Sequence, residues 1–182
     1  MRRQRAVLGM LIAAFLVAGL TVQAAAQQPQ IPTIQVCNHS LVKGTGVVKI
    51  DSRVDAQSPG TIRIRVEVKC DPAAGYPSLG VLALDFELSD SQKGTMTATT
   101  LEQLTSTGKH TPTAYMSGRC TMTGVTGCHF WLMLADNHPS TAGAAATRDV
   151  VSVLVLNGSG QRVAYGTGPL VQGDIEIAAS PN

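Results

Sequence analysis

The fold is decided by a short apolar stretch, CHFWLMLA at residues 128–135, which has the pattern of a β-strand with two unlike faces. Successive side chains of a strand point to opposite sides. One face is purely apolar and is expected to lie in the core: Phe130, Leu132 and Leu134. The other face carries His129, Trp131 and Met133 and is a possible partner surface, since exposed apolar patches mark binding sites. The alternative is that a second layer covers this face, so that Trp131 lies in the core.

Other stretches repeat the strand pattern on both sides of this one. Residues 61–70, TIRIRVEVKC, alternate apolar and polar side chains, and residues 80–88 and 170–177 do the same. Residues 149–156 are almost continuously apolar, and Asn157–Gly160 is typical of a hairpin turn. We predict an all-β fold of about eight to nine strands. Its architecture is expected to be an antiparallel β-sandwich of immunoglobulin-like type, with a closed β-barrel as the alternative.

The charged positions of the early strands suggest a register. An antiparallel pairing with Asp51 opposite Arg65, and then Arg65 opposite Asp85, brings unlike charges together. Cross-strand ion pairs contribute only about 0.2–1 kcal/mol each, so they select a register more than they stabilise it. The same carboxylates are expected to neutralise the stripe formed by Arg63 and Arg65, which is otherwise a candidate anion site.

The chain of 182 residues is expected to hold one folded domain that follows an export signal. Residues 1–26 combine early arginines, a long apolar run and small residues at the end, which is the pattern of a secretory signal peptide cleaved near Ala26. A transmembrane anchor is the alternative, because the apolar run is nearly long enough to span a bilayer. Residues 27–36 are expected to form a flexible leader and residues 37–182 a single β-sandwich domain. After cleavage the protein is expected to be secreted or periplasmic, and not an integral membrane protein.

Removal of the signal segment changes the net charge. The precursor has 14 basic and 12 acidic residues, and the loss of Arg2, Arg3 and Arg5 leaves 11 against 12, a net charge of −1. Nucleic-acid binding depends on a basic surface that neutralises phosphates. No nucleic-acid partner is therefore expected.

Four cysteines remain after cleavage, and an oxidising destination favours disulfides over free thiols. Four cysteines allow three pairings. Cys120 and Cys128 flank a short segment with two glycines, and a hairpin there brings their Cβ atoms within disulfide range. This geometry favours Cys120–Cys128 and, by elimination, Cys37–Cys70.

No catalytic motif is recognisable in the sequence. A G-x-S-x-G nucleophile motif is lacking. The carboxylate pairs Asp85/Glu87 and Asp174/Glu176 fall on the outward, solvated side of strands rather than around a cleft, as glycoside cleavage requires. We therefore expect no enzymatic activity and no cofactor, and a small secreted hydrolase is only the third hypothesis.

A copper or zinc site is the second hypothesis. His110, His129 and His138, together with several methionines, are ligand types that suit these metals in an oxidising compartment. His129 and Met133 share a strand face, but four residues at ~3.3 Å each place them about 13 Å apart, so they do not bind one ion. Such a site requires His110 or His138 to fold onto the strand.

The leading hypothesis is a secreted or periplasmic binding or interaction module, with a protein or an envelope surface as its partner. The strand pattern is well defined whereas catalytic chemistry is not, and folds of this class commonly host binding sites.

Overall fold

The computed structural model describes residues 36–37, 40–51, 59–71, 73, 76–89, 93–137 and 147–178. These residues form nine strands: β1 Val36–Cys37, β2 Leu41–Ile50, β3 Gly60–Asp71, β4 Tyr76–Leu88, β5 Lys93–Thr107, β6 Thr113–Met122, β7 Val125–Ala135, β8 Val150–Asn157 and β9 Arg162–Ala178. The predicted signal peptide and most of the predicted leader lie outside the described residues.

Eight of the strands close into a barrel. Strands β2 to β9 pair antiparallel in chain order, and β9 returns to pair with β2. The predicted all-β antiparallel fold is therefore confirmed. A sandwich would leave edge strands in both sheets, whereas here the pairing runs around the whole circle. The expected immunoglobulin-like sandwich is wrong, and the closed barrel given as the alternative is correct.

Apolar side chains from alternate positions of each strand fill the barrel. On β3 the inward positions include four β-branched residues, Ile62, Ile64, Val66 and Val68. On β7 they include the three residues predicted to lie in the core, Phe130, Leu132 and Leu134. An eight-stranded barrel has an interior just wide enough for side chains to fill. Ligand recognition through side chains is therefore expected on the outer wall.

The register of the first strands differs from the predicted one. Arg63, not Arg65, lies opposite Asp85, a displacement of two residues. Lys49 lies opposite Thr61, whereas the predicted Asp51–Arg65 pairing requires it to lie opposite Glu67, six residues further on. Both displacements are even, so each side chain keeps its predicted face. Exposed ion pairs are too weak to fix a register that the closure of the barrel also constrains.

The two disulfides join Cys37 to Cys70 and Cys120 to Cys128, which are the pairs derived from the sequence. Strand β1 runs parallel to β5, and the Cys37 disulfide fixes it to the end of β3. Cys120 and Cys128 lie directly opposite each other on β6 and β7, with Cα atoms 4.9 Å apart. Two disulfides indicate an oxidising, extracytoplasmic environment. Among the described residues, no helix has the length and apolar character to cross a membrane.

Two buried carboxylates complete the barrel wall where β8 is shorter than its neighbour. Strand β9 continues well beyond the last residue that pairs with β8. In that extension the N–H of Ile175 donates to Asp149 Oδ2 at 3.0 Å, and the N–H of Ile177 donates to Asp136 Oδ2 at 3.2 Å. A buried N–H without an acceptor costs free energy. The two carboxylates therefore accept the hydrogen bonds that a longer β8 would accept with its backbone.

Replacing Asp149 with alanine is expected to lower the free energy of unfolding by about 2 kcal/mol, because the N–H groups of Ile175 and Asn137 lose their acceptor. Urea unfolding measures the loss. Glu176→Ala is the matched control, because Glu176 is on the same strand and its 2.9 Å pair with Lys43 is solvent-exposed. The control should cost less than about 1 kcal/mol. Equal losses in the two variants would contradict the capping role.

The carboxyl group of Asp149 also makes the free energy of unfolding depend on pH. Burial raises the pKa of Asp149 against the opposing effect of its two N–H donors, and the carboxylates of Asp136 and Asp174 raise it further. The folded state thus binds this proton more tightly than the unfolded chain does. Its contribution to stability is fully present below the ordinary Asp value of 3.8 and is lost as the pH rises through the raised pKa. Wild type should therefore gain stability relative to Asp149→Asn as the pH falls from neutral toward that range.

Candidate functional site

The strand alternation places His129, Trp131 and Met133 on the outside of the barrel. Trp131 is 42% exposed, His129 is exposed and Met133 is half-buried. Phe130 and Leu132, which alternate with them, point into the core. In the part of the chain that the structure describes, no second sheet covers this wall. The alternative of a core tryptophan is therefore wrong.

Cross-strand pairing brings further apolar side chains beside Trp131. Trp131 lies opposite Leu154 of β8, and Leu154 lies opposite Tyr165 of β9. Met133 lies opposite Tyr115 of β6. Tyr115 and Tyr165 are 43% and 36% exposed. We call these five side chains the aromatic face; with polar neighbours they line a groove of about 350 Å³ on the outer wall.

Neighbouring contacts orient the aromatic rings. The ring of His129 stands nearly perpendicular to that of Trp131, with centroids 6.1 Å apart and an interplanar angle of 81°. The guanidinium of Arg162 lies over the ring of Tyr165, 5.0 Å from its centroid. A cation–π contact at an exposed site contributes about 0.5–1 kcal/mol, which is enough to favour one rotamer. The face is therefore partly ordered before a ligand binds, and this lowers the entropy cost of association.

Basic side chains border the aromatic face, and its wall has no carboxylate. Residues 113–135 and 150–173, which contain β6, β7, β8 and most of β9, include no Asp or Glu. Arg119, His129 and Arg162 occupy one line across these strands. We call these three residues the basic row. It runs beside the aromatic face, two residues away along β7 and three along β9, where the register shifts.

One carboxylate reaches the basic row from the next strand. Arg119 Nε donates to Oε1 of Glu102 on β5 at 3.0 Å. Within the described residues, neither His129 nor Arg162 takes part in an ion pair. The positive charge of Arg162 is therefore not neutralised by a described neighbour.

The opposite wall, formed by β2, β3 and β4 with the adjoining ends of β5 and β9, carries both signs of charge. Lys43 pairs with Glu176, and Lys93 pairs with Glu87. The hydrogen bond and the charge of Lys93 hold the pKa of Glu87 below its ordinary value, and Arg63 lowers it further. Mixed charge of this kind is typical of a solvated surface. Within the arginine stripe, Arg63 has carboxylates nearby, whereas Arg65 lies opposite Thr45 and Ala83.

Two of the three histidines considered as metal ligands, His110 and His129, lie far apart. His129 lies opposite Arg119 near one end of β6, whereas His110 lies in the loop before Thr113 at the other end. Six residues of strand separate these ends, a distance of about 20 Å. His138 lies outside the described residues. Within the described residues, no group of three or more His, Cys, Asp or Glu side chains is placed to hold a metal ion.

The sequence interpretation did not single out Tyr115, Leu154 or Tyr165. Each lies in the outward phase of its own strand, so the alternation contains a signal for its exposure. That they meet at Trp131 depends on the registers of three hairpins, which alternation does not specify.

Comparison of the chain with protein-family models, with curated proteins and with solved structures finds no match. The candidate site therefore rests on its own geometry and chemistry.

Proposed function

We propose that this protein is an exported interaction module that binds a partner protein on its aromatic face. The observation that carries the proposal is the exposure of Trp131 in a preformed groove between Tyr115 and Tyr165. Large apolar side chains are normally buried, and a contiguous patch of them on an outer wall is a feature of interaction sites. Export follows from the sequence of residues 1–26 and accords with the disulfides.

The composition of the wall supports a protein as the partner. The centres of protein–protein interfaces are enriched in Tyr, Trp, Phe, Met and Arg and depleted in Lys, Glu and Asp. The aromatic face and its border contain Trp131, Met133 and Arg162 together with two tyrosines, and residues 113–135 and 150–173, which carry them, include no acidic residue. Three of these four residue types, Trp, Tyr and Arg, are also enriched among the hot spots of binding interfaces.

The backbone pairing of the strands excludes one mode of recognition, the addition of a partner strand to a sheet edge. Strands β6, β7 and β8 are each paired on both sides, so they offer no free edge to which a partner strand could add. Recognition at this wall must therefore use side chains. The groove beside Trp131 supplies both apolar surface and hydroxyl groups, among them those of Ser152 and Thr105.

Selection of a displayed library of short random peptides on the disulfide-intact protein tests the proposal. We expect enriched peptides that bind wild type and lose at least about 30-fold in affinity on Trp131→Ala, because a hot-spot truncation costs about 2 kcal/mol or more. Tyr76→Ala is the matched control, because Tyr76 is a 54% exposed aromatic residue on β4, away from the face. Failure to enrich any peptide, or peptides equally tolerant of both variants, would overturn the proposal.

The fluorescence of Trp131 gives a second readout, since it is the only tryptophan in the chain. Acrylamide should quench it readily in the free protein and less in the peptide complex. Quenching that a bound peptide leaves unchanged would place the peptide elsewhere on the barrel.

A further inference from the structure

We propose that the segment docked on the aromatic face is an acidic, amphipathic peptide segment of a partner protein, whose carboxylates lie on the basic row. This inference rests on the proposed function and adds the chemistry of the partner. Its basis is the one-sided charge of the wall, on which Arg119, His129 and Arg162 have no acidic residue among their strand neighbours in β6, β7 and β8.

Two parallel lines of residues run across the strands, one aromatic and one basic. Trp131 and Tyr165 lie in one line across the strands, and His129 and Arg162 lie in the next. Residues two positions apart along a strand are ~7 Å apart, and adjacent strands are ~4.8 Å apart. The basic row from β6 to β9 therefore extends about 14 Å beside the aromatic line. A segment that lies across the strands presents apolar side chains to the first line and charged side chains to the second.

Electrostatics favour carboxylates on the part of the docked segment that lies over the basic row. A docked segment removes water from Arg162, and a cation that loses water without gaining a counter-charge weakens binding. Carboxylates restore that interaction and also speed association through long-range attraction. Ammonium or guanidinium groups at the same place would be repelled. The preference extends to Arg119, although Glu102 already satisfies part of its charge.

The size of the site fits a short segment. An extended chain covers ~3.3–3.6 Å per residue, so about five residues reach across the basic row. The groove of about 350 Å³ accommodates one or two apolar side chains beside Trp131. The opposite wall has paired charges of both signs, among them Lys43 with Glu176 and Lys93 with Glu87, and does not share this preference.

The test compares an enriched peptide with its neutral twin, in which every Asp is changed to Asn and every Glu to Gln. We expect the selected peptides to be rich in Asp and Glu, and the twin to bind at least about tenfold more weakly. Affinity for the acidic peptide should fall as salt rises from about 50 mM to about 500 mM, because screening shortens the range of the attraction. Arg162→Glu should weaken it about tenfold or more, whereas Arg63→Glu on the opposite wall should have little effect.

The outcomes separate the two levels of inference. Peptides that require Trp131 but are neutral or basic, or that bind as tightly as their twins, would overturn the acidic segment and leave the interaction module standing. Peptides that do not require Trp131 would overturn both. An oligogalacturonate that binds in a Trp131-dependent way and displaces the peptides would overturn the protein segment in favour of an acidic glycan. Barrel integrity in each variant is checked by urea unfolding.

Discussion

Replacing Gly168 with alanine should destabilise the barrel by about 3 kcal/mol, one of the largest single-residue effects expected in this chain. Gly168 is an inward position of β9 at the seam with β2, and a β carbon there would overlap the carbonyl oxygen of Lys49. The overlap is with backbone, so it cannot be relieved by rotation of a side chain. Relief requires β9 and β2 to move apart, and their pairing closes the barrel.

Gly94→Ala is the control for this prediction. Gly94 also lies in a strand, but the nearest atom to its added β carbon would be on the ring edge of Phe86, at 3.3 Å, and Thr123 Cβ at 3.9 Å is in ordinary van der Waals contact. That ring can shift by a few tenths of an ångström, so the cost should stay below about 1 kcal/mol. Equilibrium urea unfolding of both variants gives the comparison. A Gly168→Ala loss no larger than the control would mean that the two strands are not in close contact at this point.

The pairing of β9 with β2, which closes the barrel, is also the part of the fold that the sequence does not reveal. Alternation identifies Ile62, Ile64 and Ile175 as inward residues, and all three are buried. The same alternation fits the inner face of a sandwich and the inner face of a barrel. What distinguishes them is the pairing of Leu41 with Ala178, between residues from opposite ends of the folded region. Local pattern carries no information about such a contact.

Glycines at inward positions of β9 are the feature of the sequence that indicates a closed barrel. Glycine inside a strand often marks a place where another backbone approaches closely. Gly166 and Gly168 both fall in the inward phase of β9, where apolar side chains would otherwise be expected. Taken alone, two glycines and a proline in the segment 166–169 indicate a break in the strand. The segment is a continuous part of β9, and its glycines allow the strand to pass against β2.

In the candidate site, too, the features that depend on local sequence could be predicted, and those that depend on long-range pairing could not. The faces of residues 128–135 follow from period-two alternation, so His129, Trp131 and Met133 were placed together correctly. Their exposure depended on whether a second layer covers them, which is a property of the architecture. The charge of the wall was readable from the sequence, because residues 113–135 and 150–173 lack Asp and Glu. Its meaning appeared only when the registers set the basic residues beside the aromatic ones.

Removing the Cys37–Cys70 disulfide by a double alanine replacement is expected to cost about 4 kcal/mol, the largest effect predicted for this protein. The disulfide spans 33 residues, and loop-closure entropy increases with the length of the loop that is closed. For Cys120–Cys128, which spans 8 residues, the same relation gives about 2.5 kcal/mol. Guanidinium unfolding of the two double variants measures the difference.

Hydrogen exchange separates the local consequences of the two disulfides. Among the described residues, β1 pairs with β5 through Val36 and Cys37, so without its disulfide it has little to hold it beside Gln103 and Leu104. We expect those β5 amides that β1 covers to exchange faster in the Cys37/Cys70 variant, with the β6–β7 hairpin unchanged. The Cys120/Cys128 variant should retain β1 protection, because that hairpin is paired along its whole length and lies apart from β1. Unchanged protection of Gln103 and Leu104 after loss of Cys37–Cys70 would show that β1 holds its place by strand pairing alone.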